Sequence, residues 1–321
     1  MKYKNELLLL MVTYLWGHGT LATKFMNTGF DPMPGLTMRY LAALVVIGAF
    51  TAHTLRRDPQ RKKTFITKTT LRVVGVTGTF SVASLSLQMI ALRYTTASNA
   101  SFILCIYTVI LPCLAALIFR EPIHKVQVWG LFSCFLGTAL ISRVIGFEGG
   151  FHIGLDGLGV GDLLMLACSL LVAVQSLAVS RLGKAKVDPL GFVLSQITYC
   201  FLACALGWAL VFQGARADFG NLPALLGICY NGAIGSGAVY IVYSSVMPRM
   251  SPATAGLILA CEPVFTTFAA AVIPIAGKTE PIGLIQVTGG ALILGTIVAV
   301  QRVMNKGTAS AVTAADSAKA G

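Results

Sequence analysis

Charge is what this sequence lacks. Only 11% of its 321 residues are charged, against about 25% in an average soluble domain. Hydrophobic residues make up 56%, and the mean hydropathy is +0.79. A soluble core grows more slowly than the chain and cannot hide that much apolar surface, so a water-soluble domain is excluded and a lipid bilayer becomes the first partner. Metal and catalytic signatures are missing too. No zinc-type CxxC spacing, HExxH or GxSxG occurs. The eight cysteines, Cys105, Cys113, Cys134, Cys168, Cys200, Cys204, Cys229 and Cys261, all lie in apolar runs and read as small buried hydrophobes. The run Gly154-Leu-Asp-Gly157-Leu-Gly159-Val-Gly161 fits neither GxGxxG nor a P-loop and reads as a flexible outer loop. No cofactor is expected, and the chain is not expected to be an enzyme.

Hydrophobic runs, by contrast, are abundant. A helix needs about 20 apolar residues to cross a bilayer. Ten such spans are expected, near residues 7–28, 35–54, 71–92, 96–118, 126–145, 161–180, 190–212, 224–246, 253–275 and 283–302. The opening Met1 to Glu6 leads into the first of these as a mature helix, because no small-residue cleavage site precedes Lys24. The net charge of +12 is distributed between spans, which argues against nucleic acid as a partner. The densest basic stretch holds Arg56, Arg57, Arg61, Lys62, Lys63, Lys68 and Arg72. Placing it in the cytoplasm puts 18 basic residues inside and four (Arg93, Arg143, Arg216 and Lys278) outside, the asymmetry of the positive-inside rule. Both termini are then cytoplasmic, in a multi-pass protein of the cell membrane (the inner membrane if the cell is a Gram-negative bacterium).

The chain also repeats itself. Glu121-Pro-Ile-x-x-x-Gln127-Val128-x-Gly130 recurs as Glu280-Pro-Ile-x-x-x-Gln286-Val287-x-Gly289, and Asp31-Pro32 recurs as Asp188-Pro189. Five spans per repeat is an odd number, so the second half enters the membrane from the opposite side. The expected fold class is therefore an all-α integral membrane protein of ten transmembrane helices in two inverted five-helix repeats around a central cavity. Residues 1–145 form the first repeat, 146–160 a connecting outer loop, 161–303 the second repeat, and 304–321 a disordered, low-complexity tail. Inverted repeats with a midplane site suit alternating access.

Particular residues carry a family resemblance. Trp16-Gly17, Lys24 and Met38-Arg39-Tyr-Leu-Ala-Ala43 resemble the opening of EamA-type members of the drug/metabolite transporter superfamily. Ala91-Leu-Arg-Tyr-Thr-Thr-Ala97, Leu111-Pro112, Arg120-Glu121 and Cys261-Glu-Pro-Val264 extend the resemblance, which covers about residues 10 to 300. It implies the ten-helix inverted fold and the export of amino acids or other small polar metabolites. A nucleotide-sugar or other organic-anion exchanger of the same superfamily is the alternative, and a membrane-embedded enzyme a more distant one.

Polar groups inside spans are costly unless they face protein or a cavity. That selects Trp16, His18, Lys24, Gln88, Tyr107, Gln175, Tyr240, Tyr243 and Glu262 as substrate-binding candidates. By helical rise His18 and Glu262 sit at about the same depth, some 15 Å into their spans, and read as a titratable pair. Pro263 should break the helix beside Glu262 and turn its carboxyl into the cavity. Lys24 and Arg39 fall near the outer ends of their spans, where together they could draw an anionic or carboxylate group into an outward cavity. The favoured reading of Arg39 is a side chain snorkelling to the outer headgroups. Glu121 and Glu280 read as structural caps.

Overall fold

The computed structural model describes all residues except 1–2, 64, 121–122, 142–144, 147–151, 154–158, 183, 275–278, 280–281 and 321. For 62, 63, 141, 145, 146, 152, 153, 301 and 304–320 it describes the backbone only. The described chain is almost entirely helical: α1 (Lys4–Asn27), α2 (Pro32–Arg57), α3 (Lys68–Ala91), α4 (Ala97–Phe119), α5 (Lys125–Ile141), α6 (Val160–Ser180), α7 (Pro189–Leu210), α8 (Leu222–Cys229), α9 (Val239–Val246), α10 (Pro252–Leu259), α11 (Glu262–Val272) and α12 (Leu284–Ala320). A π-helical segment, Tyr230–Ala238, joins α8 to α9 without a break. The only strands among the described residues are β1 (Ile145–Gly146) and β2 (His152–Ile153), paired antiparallel.

Helix starts follow local chemistry. Thr67, Thr96, Asp188, Asn221 and Ser251 each accept a hydrogen bond from the backbone N–H three residues on, satisfying a donor that the first turn leaves orphaned. Proline occupies the first or second position of α2, α7, α8, α10 and α11, where its missing N–H costs nothing. The two repeat glutamines do parallel work. Gln127 accepts from the His124 N–H and Gln286 from the Gly283 N–H, so each ties down the entry to its helix. Glu121 and Glu280, expected to cap these helices, lie outside the described residues, as does most of the Gly154–Gly161 run.

Among the described residues, seven segments are long and apolar enough to cross a membrane: α2, α3, α4, α6, α7, the continuous stretch Leu222–Arg249, and Pro252–Val272, which contains α10 and α11. Large apolar side chains such as Leu117, Trp129, Leu210 and Leu284 are exposed on the outside of the bundle, where lipid would cover them. The interior, though mostly apolar, also holds polar residues such as Gln88, Gln196, Asn231 and Glu262. Of the eight cysteines, all free, six are buried; Cys113 and Cys229 are exposed, contrary to the reading of all eight as buried. Each lies on the outward stripe of its helix, where a small hydrophobe suits lipid as well as it suits protein. The backbone of 304–320 continues α12. The segment is rich in alanine, the strongest helix former.

The packing is paired. The α1 helix lies against α8, α9 and the π segment, as α6 lies against α3; α4 packs on α6 as α1 packs on α10 and α11. The α2 helix packs on α7, and α5 on α12.

Candidate functional site

A cavity of about 140 Å³ sits among these helices, about tenfold more than the 10–15 Å³ that one water needs on this measure. Its wall follows helical spacing. Trp16, Gly19, Thr20 and Thr23 form one face of α1, and Cys168, Val172, Gln175 and Ser176 one face of α6. Ser81, Ser84, Leu85 and Gln88 come from α3, Leu104 and Tyr107 from α4. The α2 helix supplies Arg39 and Tyr40, the α7 helix Gln196 and Ile197. Asn231, Gly235 and Ser236 of the π segment, Tyr240 and Tyr243 of α9, and Glu262 at the start of α11 complete it.

The lining is held in place by hydrogen bonds. The Trp16 indole N–H donates to the Gly235 carbonyl at 3.1 Å, and its ring lies 4.8 Å from that of Tyr243. The Tyr240 hydroxyl accepts from the Gln175 amide at 3.1 Å and the Gln196 amide at 2.8 Å. Gln196 in turn accepts from the Thr77 hydroxyl at 2.8 Å. The Asn231 amide donates to the Gly19 carbonyl and the Thr23 hydroxyl, both at 3.1 Å. Local winding sets these directions. A π turn carries an extra residue relative to an α turn and recurs at functional sites; here it brings Asn231, Gly235 and Ser236 to one wall.

Among the described residues, two charged ones line the cavity, Arg39 and Glu262, only 8% and 7% exposed. Glu262 stands where one helix ends and the next begins: α10 stops at Leu259, a turn at Ala260–Cys261 follows, and α11 starts at Glu262 with Pro263 behind it. The break matches the expectation from Pro263, whose nitrogen carries no proton to continue the ladder to Leu259. Thr266 fastens the junction by donating to both the Gly17 and Glu262 carbonyls. Among the described residues no group hydrogen-bonds the Glu262 carboxyl.

Seven sequence candidates meet in this cavity: Trp16, Gln88, Tyr107, Gln175, Tyr240, Tyr243 and Glu262. His18 and Lys24 are not in its wall. His18 is two residues from Trp16, about 200° around the helix; its ring faces Tyr14 at 4.5 Å and its Nδ1 pairs with the Tyr14 carbonyl. The expected His18–Glu262 pair is therefore not formed. Lys24 lies in the last turn of α1, beyond the last cavity residue, Thr23. Arg39 is the converse case. It is buried, and its Nε donates to the Ser236 hydroxyl at 2.9 Å, so the snorkelling reading fails. Gln196 was legible in principle: it follows Asp188 by eight residues, as Arg39 follows Asp31.

Two clasps frame the cavity at opposite ends of α2. Before α2, Asp31 accepts from the Arg93 guanidinium and the Arg216 backbone N–H, both at 2.7 Å. Beyond the end of α2, Arg61 grips Asp188 through two bonds, at 2.7 and 3.1 Å, which raises the guanidinium pKa above its usual value. Burial pushes the Asp31 carboxyl up, but the Arg216 N–H and the Arg93 charge outweigh it, and its pKa falls below the ordinary value. A carboxylate so depressed stabilises the fold above its unfolded pKa and loses that contribution as pH falls through the folded value. We predict that Asp31→Asn lowers stability by about 1 kcal/mol at neutral pH, a modest figure because both side chains are about one-third exposed to water and screened. Thermal midpoints of the variant and the parent should converge as the pH falls below about 4; a gap that persists there would contradict the ion-pair account.

With this geometry in hand, comparison with known proteins is specific. The EamA-like transporter family model matches residues 4–143 and again 159–302. A protein of Bacillus subtilis described as an uncharacterized transporter is 24% identical, over 93% of this chain and 94% of its own. One of Clostridium kluyveri, also described as an uncharacterized transporter, is 24% identical over 76% of each chain. A third, from Archaeoglobus fulgidus, is 25% identical over 56% of this chain, which spans about half of that relative's length. A crystal structure 20% identical in sequence superposes with a TM-score of 0.71 over 94% of this chain and 96% of its own, a likeness of fold. Matched twice along its length, once by each half of a helical bundle that encloses a polar cavity, the chain belongs to the EamA-like transporter family.

Proposed function

We propose that the protein is a secondary transporter that exports small polar metabolites such as amino acids, by alternating access between two inverted five-helix repeats. The observation that carries this reading is a cavity with polar side chains from both halves of the chain, inside a bundle whose outer surface is apolar. On this reading α1 to α5 form one repeat. The other consists of α6, α7, the α8–π–α9 span, the α10–α11 span and α12. Exchanging the two sets maps several of the main helix pairings onto one another: α2 with α7 and α5 with α12 are self-paired, and α1 on the α8–α9 span exchanges with α6 on α3. The cavity lining obeys the same exchange. Trp16, Gly19 and Thr20 correspond to Val172, Gln175 and Ser176 at a constant offset of 156. Arg39 and Tyr40 correspond to Gln196 and Ile197, and Tyr107 and Glu262 each follow the capping residue of their span by eleven. Two half-sites of this kind present one pocket alternately to either side.

The basic residues favour cytoplasmic termini in the cell membrane. Counterflow tests the function. Proteoliposomes loaded with unlabelled amino acid should take up the labelled one transiently above equilibrium. Loss of label through an open pore, or recovery of a chemically altered compound, would overturn the carrier reading in favour of a channel or an enzyme.

A further inference from the structure

We infer that Arg39 is the specificity-determining residue of this cavity and that it holds a carboxylate of the substrate. The inference rests on the transporter reading above and deepens it. Arg39 is buried on α2, and only its Nε is engaged, by Ser236. Neither terminal nitrogen has a hydrogen-bond partner among the described residues. A buried guanidinium stays ionised, and an uncompensated buried charge is costly, so this position favours an anionic partner. Glu262 does not supply it: no ion pair joins the two, although both line the same space. With Nε occupied, the two terminal N–H groups form an end-on fork, the geometry that a carboxylate accepts through both oxygens.

The choice of carboxylate over phosphate follows from charge. Arg39 is the one Lys or Arg among the described lining residues. One guanidinium balances one negative charge, whereas a phosphate monoester carries about 1.5 to 2 at neutral pH. The corresponding position of the second half-site makes the same point by contrast. Gln196 is neutral there, and its amide is already spent on Thr77 and Tyr240. The substrate therefore lies with its anionic end toward the first half-site.

Ligand-induced thermal shifts on the purified protein test this. The probes are L-leucine and L-phenylalanine, the carboxamide of each, the monocarboxylates lactate and pyruvate, and inorganic phosphate with glucose 6-phosphate. Carboxylates should bind at least tenfold more tightly than the matched amides, the range of a charge-assisted bidentate contact. Arg39→Gln should erase that discrimination while the protein stays monodisperse, since glutamine still reaches Ser236 and already occupies the equivalent position 196. Arg39→Lys, which keeps the charge and loses the fork, should retain part of it. Monocarboxylates binding through Arg39 while amino acids do not would sustain this inference and remove the amino-acid reading. Amides binding as well as acids, discrimination surviving in Arg39→Gln, binding of the phosphates alone, or binding of no carboxylate at all would each overturn it.

Discussion

Glu262→Gln is expected to leave a folded protein that no longer moves its substrate with any dependence on pH. The substitution nearly keeps the size of the side chain and leaves it able to hydrogen-bond, while removing its ability to ionise. Glu262 is the single carboxyl in the cavity wall among the described residues, which makes it the carboxylate there that could carry a proton with or against the substrate. A buried ionisable group within a membrane span is a functional candidate by default, and this one sits at a helix break that gives it a wall position rather than a lipid-facing one. Losing a charge-assisted contact to the substrate of about 2–3 kcal/mol corresponds to about a thirty- to hundred-and-fiftyfold loss of transport. Uptake measured in proteoliposomes across a pH series should show that fall together with a flat profile. Normal uptake at every pH would reduce Glu262 to a residue that shapes the kink.

The second large effect is structural. At Gly232 in the π segment, a Cβ would lie 2.5 Å from the Arg39 carbonyl oxygen and 2.6 Å from the Ala42 Cβ. Both obstacles belong to α2 and neither can swing aside. Small residues let membrane helices approach to this degree, and here the approach is what carries Ser236 to Arg39. Gly232→Leu should push α2 and the π segment apart at a cost of about 3 kcal/mol or more, seen as loss of the monodisperse peak and a collapsed thermal midpoint in detergent. The control is Gly48→Leu on the same α2 helix, where nothing lies within 4 Å of the added Cβ. That variant should behave as the parent. Equal tolerance of both substitutions would mean that the crossing is looser than the geometry requires.

These two cases mark what could be read from the amino-acid order. Helix positions were legible because apolar run length and basic loop residues are one-dimensional signals, set by bilayer thickness and surface charge. Cavity candidates such as Gln88, Gln175 and Tyr240 were legible because amide and phenol groups in apolar runs must turn toward protein. Rotation about the helix axis was not. His18 and Trp16 share a depth, and only packing against α11 decides that the indole faces in and the imidazole out. Arg39 was misread because length alone cannot separate a side chain climbing to headgroups from one turned inward on Ser236. The π segment hides for a related reason. Counting at 3.6 residues per turn loses phase at an inserted residue, so Asn231 and Ser236 could not be placed on one wall with Tyr240. The Gly232, Gly235 and Gly237 spacing was the one hint.

The position of Trp16 has an optical consequence. The protein has three tryptophans, and they occupy different surroundings. Trp129 is 72% exposed on the outer surface, within reach of a brominated acyl chain, while the Trp16 indole is tethered to Gly235 inside the cavity. In a variant carrying Trp129→Phe and Trp208→Phe, emission comes from the cavity alone. A solute that displaces water from around that indole changes its colour and intensity, and a quencher dissolved in lipid leaves it untouched. The occupancy of the cavity is thereby readable as fluorescence, with no label added.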